Sequence, residues 1–504
     1  MKCSRSRCAL LGAAMVGASQ ALAGVTGPSS SQTPYLVPLV PGVDFTSILS
    51  VDDRPGTPAL PTSTYKMAGI PDGLGALDNG DGTFKLWMNH EIPTGSGVAH
   101  SHGNTSGAFV SQWTINKSDL KVLDGKDLIT TPVLSSGDAN FNRFCSADLP
   151  ASSAFFDIGS GMGTTNRIYM NGEETTGGRA FGHVVTGPDA GKSYQLPLLG
   201  NYSWENFLAN PATGVKTLVM GNDDGSGGGG SSAARGLISV YLGTKTNSGT
   251  DVDKAGLTNG SVGFIKVGSV LNESRTTGLG VAKNVSAPFT VTSDKLQGTT
   301  FLRPEDGAWD PSNPNDYYFV TTDQYDQVKD GVGATVGRSR LWKAHFDSLA
   351  NPNAGGSISM LLDGTEPGQM YDNIAINKHG RIILLEDVGG NAHNGKIFSY
   401  DIATQQLVKI ASHDPARFGD IGLSATAPFN NDEESSGVID AEDILGPGWF
   451  LVDTQAHYSF GATSYEVEGG QLMAMFVPDL VPEPASLSML GLAGMCLLRR
   501  RRTR

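Results

Sequence analysis

Cysteine is scarce in this sequence, and the central part of the chain has only one. Of the four cysteines, Cys3, Cys8 and Cys496 lie in the two terminal segments, which leaves Cys145 as the single thiol of the body. An internal disulfide is therefore excluded, and a domain of this length must be stabilised by a hydrophobic core. A lone cysteine is either buried and inert or a metal ligand, and both interpretations stay open.

Positive charge is also in short supply. The chain has 36 basic and 50 acidic residues, and its formal net charge is -14. Residues 1–23 and 481–504 carry charges of +3 and +4, so the body between them has a net charge of -21. This charge excludes nucleic acid as a partner. It fits either the binding of divalent cations or plain solubility.

Amphipathic helical periodicity is hard to find along the chain. The sequence instead has 66 glycines, an aromatic content of 8% and frequent turns rich in Gly, Asn and Asp between short apolar runs. These features predict an all-β chain.

The N-terminal segment has the pattern of a secretory signal peptide. Lys2, Arg5 and Arg7 precede an apolar stretch over residues 8–16, and residues 21–23 supply small side chains for signal peptidase. The apolar stretch is too short to span a bilayer. We therefore predict export, with residues 1–23 as the signal peptide.

The C-terminal segment combines three elements in a fixed order. Pro482-Glu483-Pro484 is followed by an apolar stretch over residues 487–498 and then by four arginines, residues 499–502. Residues 481–504 thus resemble the PEP-CTERM sorting signal of Gram-negative bacteria. The resemblance implies processing by an exosortase, transient membrane association, and a location in the cell envelope or extracellular matrix, where extracellular polysaccharide is a candidate partner.

Six short apolar runs in the body end in a small polar residue followed by carboxylates or a histidine. They cover residues 84–91, 168–174, 218–224, 317–323, 382–387 and 449–457. Four runs have an upstream partner strand that begins with another polar cluster, at residues 71–73, 303–307, 371–373 and 433–437. The start of the first strand and the end of the second lie at the same end of an antiparallel hairpin. Repeated around an axis, this pattern predicts a β-propeller of about six blades with long loop insertions.

The predicted propeller domain covers residues 63–480. Residues 24–62 are rich in Pro and Ser, and we expect them to form a leader that wraps the body and closes the ring with a strand near residues 471–477.

The strand ends supply hard oxygen donors and a few nitrogens, which calcium prefers and ferric iron also accepts. The predicted metal ligands are Glu91, Glu173, Glu174, Asp223, Asp224, Glu305, Asp306, Asp372, Asn373, Glu386, Asp387, Glu434 and His457. Clustered carboxylates repel one another, so such a site either binds metal or keeps some of them protonated. The alternative is that these acids only solvate the ends of loops.

Five motifs support a family resemblance. They are Trp87-Met88-Asn89-His90-Glu91, Asn171-Gly172-Glu173-Glu174, Gly221-Asn222-Asp223-Asp224, Arg303-Pro304-Glu305-Asp306-Gly307 and Tyr371-Asp372-Asn373-Ile374-Ala375. In this order they resemble the motifs of the PhoX-type alkaline phosphatases, over roughly residues 65–460. The resemblance implies a propeller of about six blades, calcium and iron in an axial site, and hydrolysis of phosphate monoesters outside the cytoplasm.

The resemblance also implies roles for single residues. Cys145 would be an iron ligand and Glu205 a further metal ligand, while Arg303 and Glu305 would be catalytic, Arg303 by meeting phosphate oxygens. Two features depart from the family. Residues 144–148 read Phe-Cys-Ser-Ala-Asp instead of the family's Asn-Cys-Ala-Gly-Gly setting, and Arg5-Ser6-Arg7 is not a twin-arginine pair.

The sequence thus favours an exported phosphatase-like protein that hydrolyses phosphate monoesters at an axial calcium site, with iron as a second candidate metal. A calcium-dependent propeller lactonase or esterase would use the same acids. A non-catalytic surface or matrix propeller, in which calcium only stabilises the fold, is the other alternative. The remaining histidines (His100, His102, His183, His345, His379, His393 and His413) are expected to be surface or packing residues.

Overall fold

Strands dominate the chain, and its helices are short. The computed structural model describes residues 24–103, 105–135, 137–225, 236–326 and 337–478, so the predicted signal peptide and sorting signal lie outside it. Within these ranges the α-helices are α1 (Asp251–Lys254), α2 (Pro415–Phe418) and α3 (Glu442–Leu445), and single 3-10 turns cover Ser152–Ala154, Pro197–Leu199 and Pro352–Ala354. No helix among the described residues has the length and apolar character needed to cross a bilayer. The predicted all-β class is confirmed.

The strands form a leader and the six blades of a propeller, and hydrogen bonds between strands join blades 2, 3 and 4 into one 14-stranded sheet. The leader holds β1 (Val25–Thr26), β2 (Leu36–Pro38), β3 (Asp44–Ser50), β4 (Gly56–Thr57) and β5 (Leu60–Pro61). Blade 1 holds β6 (Pro71–Asp78), β7 (Thr83–His90), β8 (Phe109–Asn116) and β9 (Val122–Asp127). Blade 2 and its insertion hold β10 (Thr131–Val133), β11 (Phe144–Asp148), β12 (Phe156–Asp157), β13 (Met162–Gly163), β14 (Ile168–Gly178), β15 (Ala180–Val184) and β16 (Lys192–Gln195).

The other four blades follow in chain order. Blade 3 holds β17 (Tyr202–Ala209), β18 (Lys216–Asp223), β19 (Ile238–Thr244), β20 (Ser261–Val267) and the edge strand β21 (Ser286–Thr292). Blade 4 holds β22 (Pro304–Trp309), β23 (Asp316–Thr321), β24 (Arg340–Phe346) and β25 (Gly356–Leu362). Blade 5 holds β26 (Tyr371–Ile376), β27 (Arg381–Glu386), β28 (Lys396–Asp401) and β29 (Leu407–His413), and blade 6 holds β30 (Glu433–Asp440), β31 (Trp449–Gly461) and β32 (Val467–Phe476).

The innermost strands form a closed ring around the axis. In order they are β6, β11, β17, β22, β26 and β30, and each packs beside the next, with β30 returning to β6. Every blade is therefore covered on both faces by its neighbours. This explains why its strands are apolar on both faces: residues 382–385 in β27, for example, are all fully buried.

The N-terminal leader completes the last two blades. Strand β3 pairs with β32, where Asp44 lies opposite Phe476, and β1 pairs with β3 in parallel. Strand β2 pairs with β29 at the outer edge of blade 5. On the other side of the molecule, β21 pairs with both β20 and β25 and so joins the outer edges of blades 3 and 4.

Candidate metal centre

Six side chains, one from each innermost strand, converge on the axis. They are Asp72, Cys145, Glu205, Glu305, Asp372 and Glu434, and they are between 0% and 9% exposed. We call them the axial ring. Two of them, Asp72 and Cys145, are joined by a hydrogen bond of 3.2 Å from the thiol to the Asp72 carboxylate.

The ring is continuous with acids from neighbouring strand ends. Four groups each have ligand atoms that all lie within 4.8 Å of one another: Asp72, Glu91 and Cys145; Cys145, Glu174 and Glu205; Glu205, Glu305 and Asp372; and Asp372, Asp387 and Glu434. Each group shares a residue with the next, so the four groups form a single cluster that draws on every blade.

A β-bulge contains the ring residue in five of the innermost strands, and in β30 the bulge follows Glu434. The register with the second strand shifts between Pro71 and Leu74, Phe144 and Ala147, Trp204 and Asn206, Pro304 and Gly307, Tyr371 and Ile374, and Ser435 and Val438. In each case the inner strand has one extra residue. A bulge interrupts the alternation of side chains between the two faces of a strand and redirects a side chain. This explains how an innermost strand, which is the edge strand of its blade, can point a side chain to the axis.

One backbone hydrogen bond closes the open end of each blade's inner hairpin. A backbone amide at the ring end of the second strand donates to the carbonyl two positions before the ring residue. Examples are Glu91 to Ile70 at 2.8 Å and Asp387 to Met370 at 3.1 Å. The equivalent donors in the other blades are Glu174, Asp224, Thr322 and His457. We call these six donors the outer tier. Blade 4 alone has a hydroxyl residue there, and the next residue, Asp323, binds Arg275 instead.

Burial and mutual repulsion control the protonation of the ring. Burial raises the pKa of Asp72, Glu205 and Glu305 well above the usual carboxyl range, and neighbouring carboxylates raise it further. The pKa values of Glu174, Asp372 and Glu434 are raised by the same two causes. Burial also raises the pKa of Asp387, against the opposing effect of Arg303.

The thiol of Cys145 behaves in the same way. Burial, followed by the charges of Asp72 and Glu205, raises its pKa well above the usual range. Without cations the ring therefore holds protons, and cations that bind there must displace them.

Two arginines neutralise part of this charge. Arg143 forms ion pairs with Glu91, at 2.5 Å, and with Glu174. Arg303 pairs with Asp224 at 3.0 Å and with Glu305 at 3.1 Å. Both lie two residues before a ring residue. Arg143 was not among the sequence-predicted site residues, although its position relative to Cys145 matches that of Arg303 relative to Glu305.

Polar side chains from second strands hold the bulges in place. The Asn89 amide donates to the carbonyl of Cys145 at 2.6 Å, and Asn222 donates in the same way to the carbonyl of Glu305. Each asparagine in turn accepts a hydrogen bond from a tyrosine, Tyr169 at 3.0 Å or Tyr317 at 2.9 Å. This arrangement fixes the backbone of two ring residues without any contact to the space at the axis.

Several predicted ligands do not face the ring. The Glu173 carboxylate binds Arg179, that of Asp223 accepts from the Ser203 amide, and that of Asp306 accepts from Asn206. Glu386 accepts hydrogen bonds from the Gln369 amide and from His393. Adjacent residues of a strand point to opposite faces, so in each acidic pair only one member reaches the centre.

His457 and Asn373, two further predicted ligands, lie in different surroundings. The Nδ1 atom of His457 lies 2.5 Å from the Glu468 carboxylate. Burial lowers the pKa of His457, but the neighbouring Glu468 carboxylate outweighs it and leaves this pKa raised. Asn373 follows Asp372, and neither amide atom has a hydrogen-bond partner among the described residues. Asp72, in contrast, belongs to the ring although it was not among the predicted ligands.

The residues present fit a metal centre. The Oε1 atom of Glu205 is buried and has no hydrogen-bond partner within the described ranges. The donor set of the cluster consists of carboxylate oxygens and one thiol, which suits hard cations on the carboxylate side and a metal that accepts sulfur near Cys145.

Cavities open at both ends of the axis. One of about 410 Å³ lies at the ring end and is lined by Glu91, Arg143, Asp387, Glu434 and His457, among others. Another, of about 370 Å³, lies at the far end, where Asp148, Asp306, Trp309, Lys378 and Asp440 contribute to its wall. Carboxylates of the cluster thus line the first cavity.

Comparison with family models matches residues 480–502 to the PEP-CTERM protein-sorting motif. The predicted sorting signal is thereby confirmed. It indicates export to the surface or envelope of a Gram-negative bacterium, with exosortase processing and membrane association. No curated protein sequence matches the chain significantly.

Three solved structures are similar to this chain at low sequence identity. PhoX from Pseudomonas fluorescens, in complex with the transition state analogue vanadate, is 10% identical, with 90% of this chain and 97% of that chain covered and a TM-score of 0.57. A protein of unknown function from Dyadobacter fermentans is 9% identical, with 87% and 100% covered and a TM-score of 0.40. A GH43 β-1,3-galactosidase is 9% identical, with 83% and 92% covered and a TM-score of 0.35. The likeness to PhoX shows a common propeller fold.

Proposed function

We propose that this chain is an exported, metal-dependent phosphomonoesterase whose active centre is the axial ring. The observation that carries the proposal is the convergence of one buried ligand from every blade on the axis, beside two arginines. Its fold likeness to PhoX, a protein solved with a transition state analogue, supports the same assignment. The Pro-Glu-Pro sorting motif is consistent with action outside the cytoplasm.

The donor chemistry divides the ring between two kinds of cation. Glu205, Glu305, Asp372, Asp387 and Glu434 offer only oxygen, which calcium prefers. Cys145 with Asp72, Glu91 and Glu174 offers mixed sulfur and oxygen ligands, which suit iron. In this assignment Cys145 binds as the thiolate, and its proton leaves as the metal enters.

The protein's own groups then have distinct tasks. Arg143 and Arg303 hold the phosphoryl oxygens of the ester, since a planar guanidinium matches two oxyanions at once. Bound cations would supply charge neutralisation at the phosphoryl group and activate water. Asn89 and Asn222 keep the two ring residues beside the arginines in position through their backbone carbonyls. No serine or aspartate nucleophile is required by this assignment.

The test compares an acid that belongs to the axial ring with an acid that lies outside it. Glu305→Gln removes a carboxylate of the ring and should reduce hydrolysis of a generic phosphate monoester by at least about 100-fold. It should also lower the amount of bound calcium, which elemental analysis measures. Glu173→Gln is the matched control, because Glu173 pairs with Arg179 outside the ring. Equal activity of the Glu305→Gln and wild-type proteins would refute the proposal.

The alternatives give different results in the same assay. A non-catalytic surface or matrix propeller would be stabilised by calcium and would turn over none of a panel of phosphate esters, carboxylic esters and lactones. A lactonase or esterase would hydrolyse one of the last two classes and leave phosphate esters intact.

A further inference from the structure

The chain leaves the propeller at the end opposite the axial ring. Strand β30 starts at the ring with Glu433 and Glu434 and runs away from it, and Asp440 lies opposite Phe450 at the far end. Strand β31 returns to the ring, and β32 runs back again, so that Gly469 pairs with Ala456 near the ring and Phe476 pairs with Trp449 at the far end. The Val477 amide then donates to the Gly448 carbonyl at 2.8 Å.

The sorting motif begins almost immediately after this point. The last described residue is Pro478, and the motif covers residues 480–502. Its apolar stretch starts at Leu487. The nine residue steps from Pro478 to Leu487 reach at most about 32 Å even when fully extended.

This reach is too short to bring the ring end against a bilayer. To reach the ring end, the connection would first have to pass β3 and β1 at the outer edge of blade 6, a distance of about 10 Å at the spacing of paired strands. It would then have to run along the length of the blade from the far end to the ring end. The seven residue steps from Phe476 to Gly469 add about 23 Å. The whole extended reach would be used before the chain came level with the ring, with nothing left to approach the axis.

We propose that, while the sorting signal anchors the protein, the propeller stands with its far end toward the bilayer and its axial ring facing away from it. The bilayer contact is imposed by the short connection and not by attraction, since the far end exposes acids such as Asp440 and Asp443. If the proposed function is correct, a dissolved phosphate ester reaches the ring of the anchored protein, whereas a phospholipid head group of the same membrane does not.

The orientation can be measured with two probes on one blade. Asp443 lies at the far end in α3, and its side chain is 97% exposed. Thr463 is exposed in the turn between β31 and β32 at the ring end. Asp443→Cys and Thr463→Cys would each be made in the exported full chain with an intact sorting signal and Cys496→Ser, where Cys145 is buried.

Each variant would be labelled with a fluorophore and reconstituted into vesicles whose lipid head groups carry a nitroxide quencher. We expect several-fold stronger quenching at position 443 than at position 463. Equal quenching, or stronger quenching at position 463, would overturn the proposal. A long Gly-Ser insertion directly after Pro478 should abolish the difference, and a difference that survived the insertion would equally overturn it, because the face itself would then set the orientation.

No part of this experiment depends on turnover. A protein that failed the phosphatase assay and still showed the expected quenching would refute the proposed function alone, and the reverse outcome would refute the orientation alone.

Discussion

At the scale of single residues, the two arginines have an unusual backbone conformation. Arg143 and Arg303 have φ angles of 45° and 58°, in the left-handed region that non-glycine residues rarely adopt. Such a conformation costs on the order of 1–3 kcal/mol and persists only where the surrounding structure enforces it. Ile70 and Met370 have the same conformation at the equivalent position of two other blades, so it belongs to the strand entry, and both guanidinium groups pair with carboxylates at the ring. We expect both to bind an oxyanion once cations take over those carboxylates.

Replacing Arg143 by lysine tests this role. Arg143→Lys keeps the charge and loses the two-pronged contact, so KM for a phosphate monoester and the dissociation constant of vanadate should both rise about 10–100-fold. Isothermal titration of the metal-loaded protein with vanadate measures the binding separately from turnover. Arg179→Lys, which affects contacts outside the ring with Glu173, Asp138 and Asn140, is the control. Loss of metal content with unchanged vanadate affinity would instead show that Arg143 only positions Glu91 and Glu174.

The sequence predicted which residue types form the centre better than which individual residues do. Glu174, Asp224 and Asp387 belong to the outer tier, while their neighbours Glu173, Asp223 and Glu386 form contacts outside it. Adjacent side chains of a strand point to opposite faces, which explains why only one residue of each pair lies in the outer tier. Which of the two it is depends on where the bulges lie, and the bulges leave no clear signal in the sequence. Asp72 and Arg143 were missed for the same reason.

At the scale of strands, the bulged segments of neighbouring blades pack closely against each other at the candidate metal centre. Gly73 follows Asp72 in the bulge of β6, and a β-carbon at this position would lie 2.4 Å from the backbone nitrogen of Ala147 in β11. The two innermost strands thus touch through backbone atoms. Any side chain at this position must push blades 1 and 2 apart and move Asp72 with them.

Gly73→Ala should therefore lower both stability and metal content. We expect a loss of about 1–3 kcal/mol in the free energy of unfolding, typical of an overpacked core, together with weaker calcium binding. Denaturant unfolding and elemental analysis measure the two effects. Gly80→Ala provides the comparison: it lies in the turn between β6 and β7 with a φ of 76° and no atom within 4 Å, so it should cost stability without changing metal content. Wild-type metal content in Gly73→Ala would contradict the argument.

Four of the six inner hairpins could be predicted from the sequence, because their first strands begin with acid-rich clusters. The other two could not. Strand β11 begins with Phe144 and Cys145, and β17 has its ring residue, Glu205, only at the fourth position, after Tyr202, Ser203 and Trp204. Neither strand begins with an acid, so the repeat that revealed the other blades is absent there.

At the scale of the whole molecule, we expect the ring to link stability to pH and, under the proposed function, to metal binding. The buried ring carboxyls have folded-state pKa values above those of an unfolded chain. The folded metal-free protein therefore holds protons that the unfolded chain releases. This contribution to stability is complete below the unfolded pKa of about 4 and is lost as the pH rises through the raised folded values.

Removal of metal should accordingly destabilise the protein more at pH 8 than at pH 5. Scanning calorimetry of the protein with calcium and with a chelator would show a larger difference in Tm at the higher pH, since calcium replaces the protons that are lost there. Glu305→Gln should reduce this difference, and Glu173→Gln should leave it unchanged. A difference in Tm that is independent of pH would show that the ring is not the site of binding.

The pairing of β3 with β32 has a consequence for the order of events during secretion. The two strands are separated by more than four hundred positions, and the last blade is incomplete until both are present. A polypeptide that emerges from the translocation channel with its N-terminus first presents β3 early, and this strand has to wait without its partner until nearly the whole chain has followed. The carboxylates of blades 1 and 6 become neighbours only at that moment, so we expect a centre that binds metal to take its ions from outside the cytoplasmic membrane.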